Sequence, residues 1–198
     1  MPAFFMHIGL TGNIATGKST VFRLLTEREG VVGFDADLVV HDLYQRKSVV
    51  DQLVSHLGSG ILDEQGAVSR VNVRNLFLED KKVRGLLESI FHPLVYEEYL
   101  MLSSNLSSGS ILLADIPLLF EKETPYEFDV VVTVACSVDI QLQRLLKRSN
   151  LDKVSALKMI EKQVALSDKM SQSSRVLWNN GGLDLLHRQV NLLVQPIF

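Results

Sequence analysis

Short apolar runs alternate with stretches of helical periodicity along most of the chain. Five runs have the length and apolar character of strands, at 4–10, 31–34, 110–114, 129–135 and 175–178. Between them, apolar residues recur at intervals of three and four, for example at positions 83, 86, 87, 90 and 91, which is the spacing of one helix face. This alternation favours a three-layer α/β fold with a parallel five-stranded sheet.

The longest stretch without strand character lies at 38–107. We interpret it as a helical lobe within a single domain that spans 1–198. The dipeptide His92-Pro93 predicts that one helix ends there and another begins. A second helical region, a lid at about 144–170, is expected to contain a helix at 153–164, and a terminal helix is expected at 183–194.

Composition narrows the possible classes of protein. Of the 198 residues, 46% are hydrophobic, which is enough for a buried core, and the net charge of −3 argues against bulk binding of nucleic acid. No apolar run is long enough to span a bilayer, and no basic leader precedes the first strand. The single cysteine, Cys136, lies in an apolar run and is expected to be buried in a reducing compartment. We therefore expect a cytoplasmic protein.

A glycine-rich sequence follows the first predicted strand directly. Residues 12–19 fit the phosphate-binding loop pattern G-x-x-x-x-G-K-S, and a helical pattern follows them. Gly12 and Gly17 let backbone N–H groups and the helix N-terminus point at phosphate oxygens. Lys18 is suited to bridge the terminal phosphates, and the Ser19 hydroxyl is suited to bind the accompanying Mg²⁺. The sequence therefore predicts binding of a nucleoside triphosphate.

Acidic residues follow two of the predicted strands. Asp35 and Asp37 come after the second strand, and Asp115 comes after the third. Ligands of open α/β sheets bind outside the carboxyl ends of the strands, so we expect these carboxylates near the loop. A buried strand that ends in an acid is typical of a Walker B element, which places Asp115 near Mg²⁺. For Asp35 and Asp37 a second interpretation stays open, namely that they cap the helix that begins near residue 38.

Basic residues are paired at helical spacing in both helical regions. Arg70 and Arg74 are one turn apart and are suited to clamp an anion, or they are solvated surface charges. His92 is interpreted as a substrate contact or as a packed polar group. Arg144 and Arg148 share a face of the lid, where they either close on the triphosphate or belong to an ordinary solvated hairpin.

Three classes of nucleotide protein fit a phosphate loop. A small-molecule kinase needs an acceptor pocket, a base and cationic lid groups, and all of these have candidates. A GTPase needs a guanine-reading Asn/Thr-Lys-x-Asp segment after a strand, and the sequence has none. A regulatory protein that binds ATP without turnover is the third class, and the full set of acids and arginines disfavours it.

Several segments together resemble the dephospho-coenzyme A kinase family. They lie at 9–20, 35–37, 91–94, 115–121, 141–148, 163 and 179–181. The segment Asp-Ile-Pro-Leu-Leu-Phe-Glu at 115–121, together with His92-Pro93, is more specific than the phosphate loop alone. The chain departs from the family at Asn13 and Ala15, where glycine is usual, and at Trp178, where aspartate is usual. Asn13 and Ala15 would stiffen the loop if either position requires a positive φ.

The resemblance implies ATP-dependent phosphorylation of the ribose 3′-hydroxyl of dephospho-CoA, the last step of coenzyme A synthesis. It implies that Asp37 is the acid–base residue, that Lys18 and Arg144 act on the transferred phosphoryl group, and that Ser19 and Asp115 hold Mg²⁺. The residues expected to bind ATP are Gly12, Asn13, Ile14, Ala15, Thr16, Gly17, Lys18, Ser19, Thr20 and Asn179. Those expected to bind dephospho-CoA are Asp35, Arg70, Arg74, His92, Asp115 and Arg148.

The alternatives are another P-loop nucleoside or nucleotide kinase and, less favoured, a non-catalytic ATP-binding protein. We expect small-molecule partners without nucleic acid or membrane, and a monomer or weak homo-oligomer.

Overall fold

The computed structural model describes residues 5–121, 124–149 and 151–194. A parallel five-stranded sheet forms its centre, with the strand order β2-β3-β1-β4-β5. The strands are β1 (Met6–Thr11), β2 (Val31–Asp35), β3 (Ile111–Asp115), β4 (Val130–Ala135) and β5 (Arg175–Trp178). The predicted α/β class with five parallel strands is confirmed, because all five strands lie where apolar runs were found.

Helices connect β1 to β2, β2 to β3 and β4 to β5, and a last helix follows β5. They are α1 (Lys18–Thr26), α2 (Ala36–Leu43), α3 (Lys47–Leu57), α4 (Arg70–Glu79), α5 (Lys81–Ser104), α6 (Val138–Arg148), α7 (Lys153–Glu161), α8 (Leu166–Ser171) and α9 (Leu183–Val194). Side chains cap several of their N-termini. The Ser69 and Ser137 hydroxyls, for example, accept bonds from backbone N–H groups three residues on. Within the described ranges, none of the helices combines the length and hydropathy that a bilayer span requires.

The chain divides into two compact units. The first, here called the sheet unit, comprises the described residues up to 34 and from 105 onward. In its core, alternate residues of the inner strands pack against α1 and α9, as Leu10, Val132 and Leu186 illustrate. The second, the helical unit, comprises residues 35–104, and its helices α2 and α4 both contact α5.

Helix α5 corrects one sequence prediction. His92-Pro93 does not separate two helices, because α5 continues through Pro93 from Lys81 to Ser104. A proline inside a helix costs about 3 kcal/mol, since it removes one hydrogen bond and crowds the preceding turn. Apolar side chains on both sides of Pro93 are buried, at Leu87, Ile90, Phe91, Val95 and Tyr99. Each contributes roughly 1.5–3 kcal/mol when fully buried, so packing outweighs the cost of the proline.

The helix predicted at 153–164 is also shorter than expected. Helix α7 ends at Glu161, and α8 begins at Leu166 after an extended Ala165. The connecting residues make polar contacts with the loop after β1 instead of continuing the helix. Gln163 accepts the Ile14 N–H, and the Val164 carbonyl accepts the Asn13 side-chain amide.

Candidate functional site

The loop at 12–17 begins at the carboxyl end of β1, between β3 and β4. This is where the connections of the sheet change direction, the usual position of a ligand site in α/β sheets. Gly12 and Gly17 have φ values of 154° and 98°. A Cβ atom on Gly12 would lie 2.5 Å from the Val134 carbonyl oxygen, so the loop requires glycine there.

Ala15 also has a left-handed backbone. Its φ is 61°, and in the described part of the chain no other non-glycine residue has a positive φ. An L-residue is disfavoured in this region because its Cβ approaches the following carbonyl oxygen. From the sequence, we expected Asn13 and Ala15 to stiffen the loop if their positions require a positive φ. Position 15 does have a positive φ, whereas Asn13 does not.

Lys18 and Asp115 form a largely buried ion pair beside the loop. The β1–β3 register pairs Leu10 with Asp115, which brings the carboxylate to the edge where α1 begins. The two side chains are 13% and 6% exposed. The structure thus brings together two site residues that the sequence placed at separate strand ends.

Arg144 and Asn179 join three elements at the loop. The Arg144 guanidinium on α6 donates to the carbonyl oxygens of Thr16 and Asn179, over 3.2 and 2.9 Å. The Asn179 amide, directly after β5, donates to the same Thr16 carbonyl over 2.8 Å. Burial raises the pKa of the Cys136 thiol, and the neighbouring Arg144 guanidinium opposes that shift. Three predicted site residues, Thr16, Arg144 and Asn179, therefore meet at one point.

Two glutamines contact the loop in a way that the sequence did not reveal. Gln141 on α6 donates its amide to the Ile14 carbonyl oxygen over 2.8 Å. The Gln163 side-chain oxygen accepts the Ile14 N–H over 2.7 Å. Gln141 is buried in the structure although glutamine is usually exposed, so no local pattern of the sequence indicated this contact.

Lys169 is a second group that the sequence did not reveal. Its side chain on α8 is fully buried, and its ammonium lies 2.7 Å from a Glu121 carboxylate oxygen. It also donates to the Pro117 carbonyl oxygen over 3.2 Å, and the Thr11 hydroxyl donates to the same oxygen. The segment after Asp115 is therefore held by a buried charge, and a buried charge requires such partners.

The helical unit contains the remaining acidic candidates. Asp35 ends β2 and is the N-cap of α2, where its carboxylate accepts the Leu38 N–H over 3.0 Å. The capping interpretation is thus correct for one oxygen of Asp35. Asp37 lies exposed in the first turn of α2 and does not occupy the cap.

The basic candidates of the helical unit are exposed. Arg70 bonds the His41 ring nitrogen over 2.8 Å. Burial raises the pKa of the Tyr44 hydroxyl, and the positive charge of Arg70 opposes the shift. Arg74 and His92 have no hydrogen-bond or ion-pair partner among residues 5–121, 124–149 and 151–194. In the sheet unit the same holds for Arg148 on α6.

The residues suggested for Mg²⁺ carry oxygen donors, which this hard cation prefers. Ser19 has an exposed hydroxyl in the first turn of α1, and Asp115 supplies a carboxylate beside Lys18. The described residues contain no group of three or more His, Cys, Asp or Glu side chains that could hold a metal by themselves. The donor set fits an ion that also takes ligands from a triphosphate, as Mg²⁺ commonly does.

Comparisons with known proteins identify the family that this chain resembles. The family model for dephospho-CoA kinase matches residues 6–184. A dephospho-CoA kinase of Fusobacterium nucleatum is 32% identical over 192 residues, which cover 97% of this chain and 98% of that protein.

Solved structures extend the comparison to the fold. A Thermus thermophilus crystal structure is 27% identical, with a TM-score of 0.83 and 98% of both chains covered. The dephospho-CoA kinase of Campylobacter jejuni has a TM-score of 0.65 at 17% identity, covering 98% of this chain and 97% of its own. At that identity the likeness concerns the fold, which is that of P-loop kinases.

Proposed function

The chain belongs to the dephospho-CoA kinase family, and from this premise we propose which residues carry the reaction. The enzyme transfers a phosphoryl group from ATP to the ribose 3′-hydroxyl of dephospho-CoA, the last step of coenzyme A biosynthesis. The observation that supports our assignment best is the Lys18–Asp115 pair next to the glycine loop. It combines a phosphate-binding cation with a carboxylate at the end of a buried strand.

ATP binds through the loop and the start of α1. The N–H groups at residues 15–20 point toward the phosphates, and Asn13 and Ile14 shape the loop that carries them. Lys18 exchanges its contact with Asp115 for the terminal phosphates. Asn179 donates to the Thr16 carbonyl oxygen, and we assign it to the edge of the nucleotide site.

The transferred phosphoryl group spreads negative charge over its oxygens, so catalysis depends on positioning and charge neutralisation. Lys18 and Arg144 supply the positive charge. Each terminal nitrogen of Arg144 bonds one carbonyl oxygen and retains a second N–H for a phosphate. Asp37 accepts the proton of the 3′-hydroxyl as the bond to phosphorus forms, because an alcohol is a poor nucleophile at neutral pH.

Mg²⁺ would be held by the Ser19 hydroxyl and the Asp115 carboxylate. When bound, it would neutralise negative charge that develops on the phosphate oxygens during transfer. Asp115 becomes available for this role when Lys18 turns toward the phosphates.

Dephospho-CoA is an anion, and we assign its binding to the charged candidates outside the loop. Arg70, Arg74 and Arg148 are exposed cations suited to its phosphates. His92 adds a polar contact on α5, and Asp35 retains one carboxylate oxygen for a ribose hydroxyl after capping α2. Asp115 contributes from the end of β3.

We further propose that the protein is a monomer or weak homo-oligomer in the cytoplasm. The free, buried Cys136 thiol is suited to that reducing compartment.

The test is a coupled assay of ADP release across acceptors: dephospho-CoA, adenosine, AMP and shikimate, each with and without Mg²⁺. We expect Mg²⁺-dependent turnover with dephospho-CoA alone, and coenzyme A as the product. Comparable kcat/KM with AMP or adenosine would indicate a general nucleotide kinase and overturn our assignment of the acceptor residues. Tight ATP binding without turnover on any acceptor would favour a regulatory protein.

A further inference from the structure

The tip of the phosphate loop is held by side chains from outside the loop. Both polar backbone groups of Ile14 are engaged: its N–H by the Gln163 side-chain oxygen and its carbonyl by the Gln141 amide. Such double engagement of one loop residue leaves it little freedom to rotate.

In a third hydrogen bond the donor is a side chain of the loop itself. The Asn13 amide donates to the Val164 carbonyl oxygen over 3.1 Å. Asn13 is 4% exposed and Gln141 is 1% exposed, so water competes little for these groups. We call the three bonds of Asn13, Gln141 and Gln163 the loop clasp. It connects the loop to α6 and to the turn between α7 and α8.

The loop clasp lies next to the strained residue. Ala15, with φ 61°, directly follows Ile14. On its other side, the Thr16 N–H and hydroxyl both bond the Asn13 carbonyl oxygen. Alanine does not favour the left-handed region by itself, so the contacts that flank it must hold it there.

We propose that the loop clasp sets the direction of the loop N–H groups, and that Gln141 and Gln163 are positioning residues for ATP. The inference rests on the proposed role of the loop in binding ATP. Its physical basis is preorganisation: a loop that already has its bound conformation loses less entropy when the phosphates bind. Affinity for nucleotide therefore depends on side chains of α6 and of the turn between α7 and α8 that do not touch the phosphates.

The experiment measures ADP binding by calorimetry and steady-state kinetics for Gln163→Leu and Gln141→Leu. We expect the Kd for ADP and the KM for ATP to rise about 10-fold, the usual consequence of leaving a buried polar group without its partner. At saturating ATP, kcat should change less than about threefold, because the chemical groups are intact. The control is Gln143→Leu, an exposed glutamine on the same helix with no partner among the described residues.

A rescue experiment separates positioning from general stability. Glycine adopts a φ of 61° without strain, so adding Ala15→Gly to Gln163→Leu should restore most of the lost ADP affinity. A variant that binds less ADP only because its fold is less stable would have a lower melting temperature and a wild-type Kd for its folded fraction, so thermal melts of each variant separate the two causes. Absence of rescue would overturn the role assigned to Ala15.

The outcomes distinguish this inference from the proposed function. If the wild-type protein does not bind ADP, or Lys18→Ala binds it equally well, the assignment of the loop fails. If the wild type binds ADP and Gln163→Leu binds it with the same Kd, the loop still binds nucleotide, but the role proposed for the loop clasp is wrong. Because Gln163 is only half-buried, we expect Gln163→Leu to fold. This variant therefore tests the role of the loop clasp even if Gln141→Leu does not fold.

Discussion

The phosphate loop and the helical unit differ in how far protein contacts already satisfy their charged groups. At the loop, Lys18 pairs with Asp115 and Arg144 bonds two carbonyl oxygens. In the helical unit, Arg74 and His92 are exposed, with no partner in the part of the chain that the structure describes. The charged groups at the loop are thus already held by protein contacts, whereas Arg74 and His92 of the helical unit are solvated side chains, which we propose as contacts for the acceptor.

This difference has a consequence for mutagenesis. Residues with protein partners should show coupled effects on stability and activity, because their loss leaves a buried group unpaired. Exposed residues of the helical unit should affect only activity or substrate affinity. The predictions below test this contrast in order of decreasing effect.

The largest effect is expected in the helical unit, for Asp37→Asn. The amide is nearly isosteric and cannot accept the proton, so kcat should fall roughly 10²- to 10⁴-fold, the usual range for a general acid–base group. The Kd for ATP should stay unchanged. Single-turnover transfer to dephospho-CoA measures the chemical step directly. Asp42→Asn, an exposed residue of the same helix, is the control, and normal turnover by the Asp37 variant would remove this residue from the mechanism.

Lys18→Ala should lower both activity and stability. Removing one preorganised electrostatic donor should lower kcat about 10²- to 10³-fold. The Asp115 carboxylate then stays buried without its cation, so the melting temperature should fall as well. The double variant Lys18→Ala/Asp115→Asn should recover stability, since the buried charge is gone, but not activity. Recovery of activity in the double variant would contradict a direct role of Lys18 in phosphoryl transfer.

The loop was predictable because its information is local. A fixed spacing of Gly12, Gly17 and Lys18 after an apolar strand specifies its chemistry. Parallel strands end at one edge, which is why the sequence also placed Asp115 near Lys18. Strand β5 and helix α9 were predicted at their observed bounds for the same reason, since each is a clear periodic segment between turn residues.

Other features depend on contacts between distant residues, which no pattern contains. Gln141 lies 127 positions from Ile14, and its amide does not differ in sequence from that of exposed Gln143. Lys169 was equally hidden, because lysine is usually exposed and only the fold supplies Glu121 as its partner. The continuous helix α5 depends on packing that outweighs the local effect of Pro93.

Arg144→Ala is expected to lower kcat about 10²-fold, again as the loss of one electrostatic donor. Because Arg144 also bonds Thr16 and Asn179, the melting temperature should decrease by a few degrees. Lys147→Ala, an exposed cation on the same helix, serves as the control. An Arg144 variant with normal kcat would move the role of lid cation to Arg148.

Arg74→Ala should affect only the acceptor. Losing one charge-assisted contact to a phosphate is expected to raise the KM for dephospho-CoA about 10-fold, corresponding to roughly 1.4 kcal/mol. Its KM for ATP and its melting temperature should stay the same, since Arg74 is exposed. Initial rates with each substrate varied in turn measure both constants, with Lys81→Ala as the control. A changed KM for ATP instead would mean that Arg74 does not belong to the acceptor site.

The smallest effect is expected for Asp35, which has both a protein partner and a proposed contact with the acceptor. One carboxylate oxygen caps α2, and the other is assigned to the acceptor ribose. Asparagine caps helices as well as aspartate does, so Asp35→Asn should preserve stability and raise the KM for dephospho-CoA only a few-fold. Alanine cannot cap, so Asp35→Ala should also lower the free energy of unfolding by about 1 kcal/mol. Urea denaturation measures the cap, and the KM measures the contact with the acceptor. If the asparagine variant has a wild-type KM, Asp35 is a cap alone and its carboxylate belongs to the scaffold.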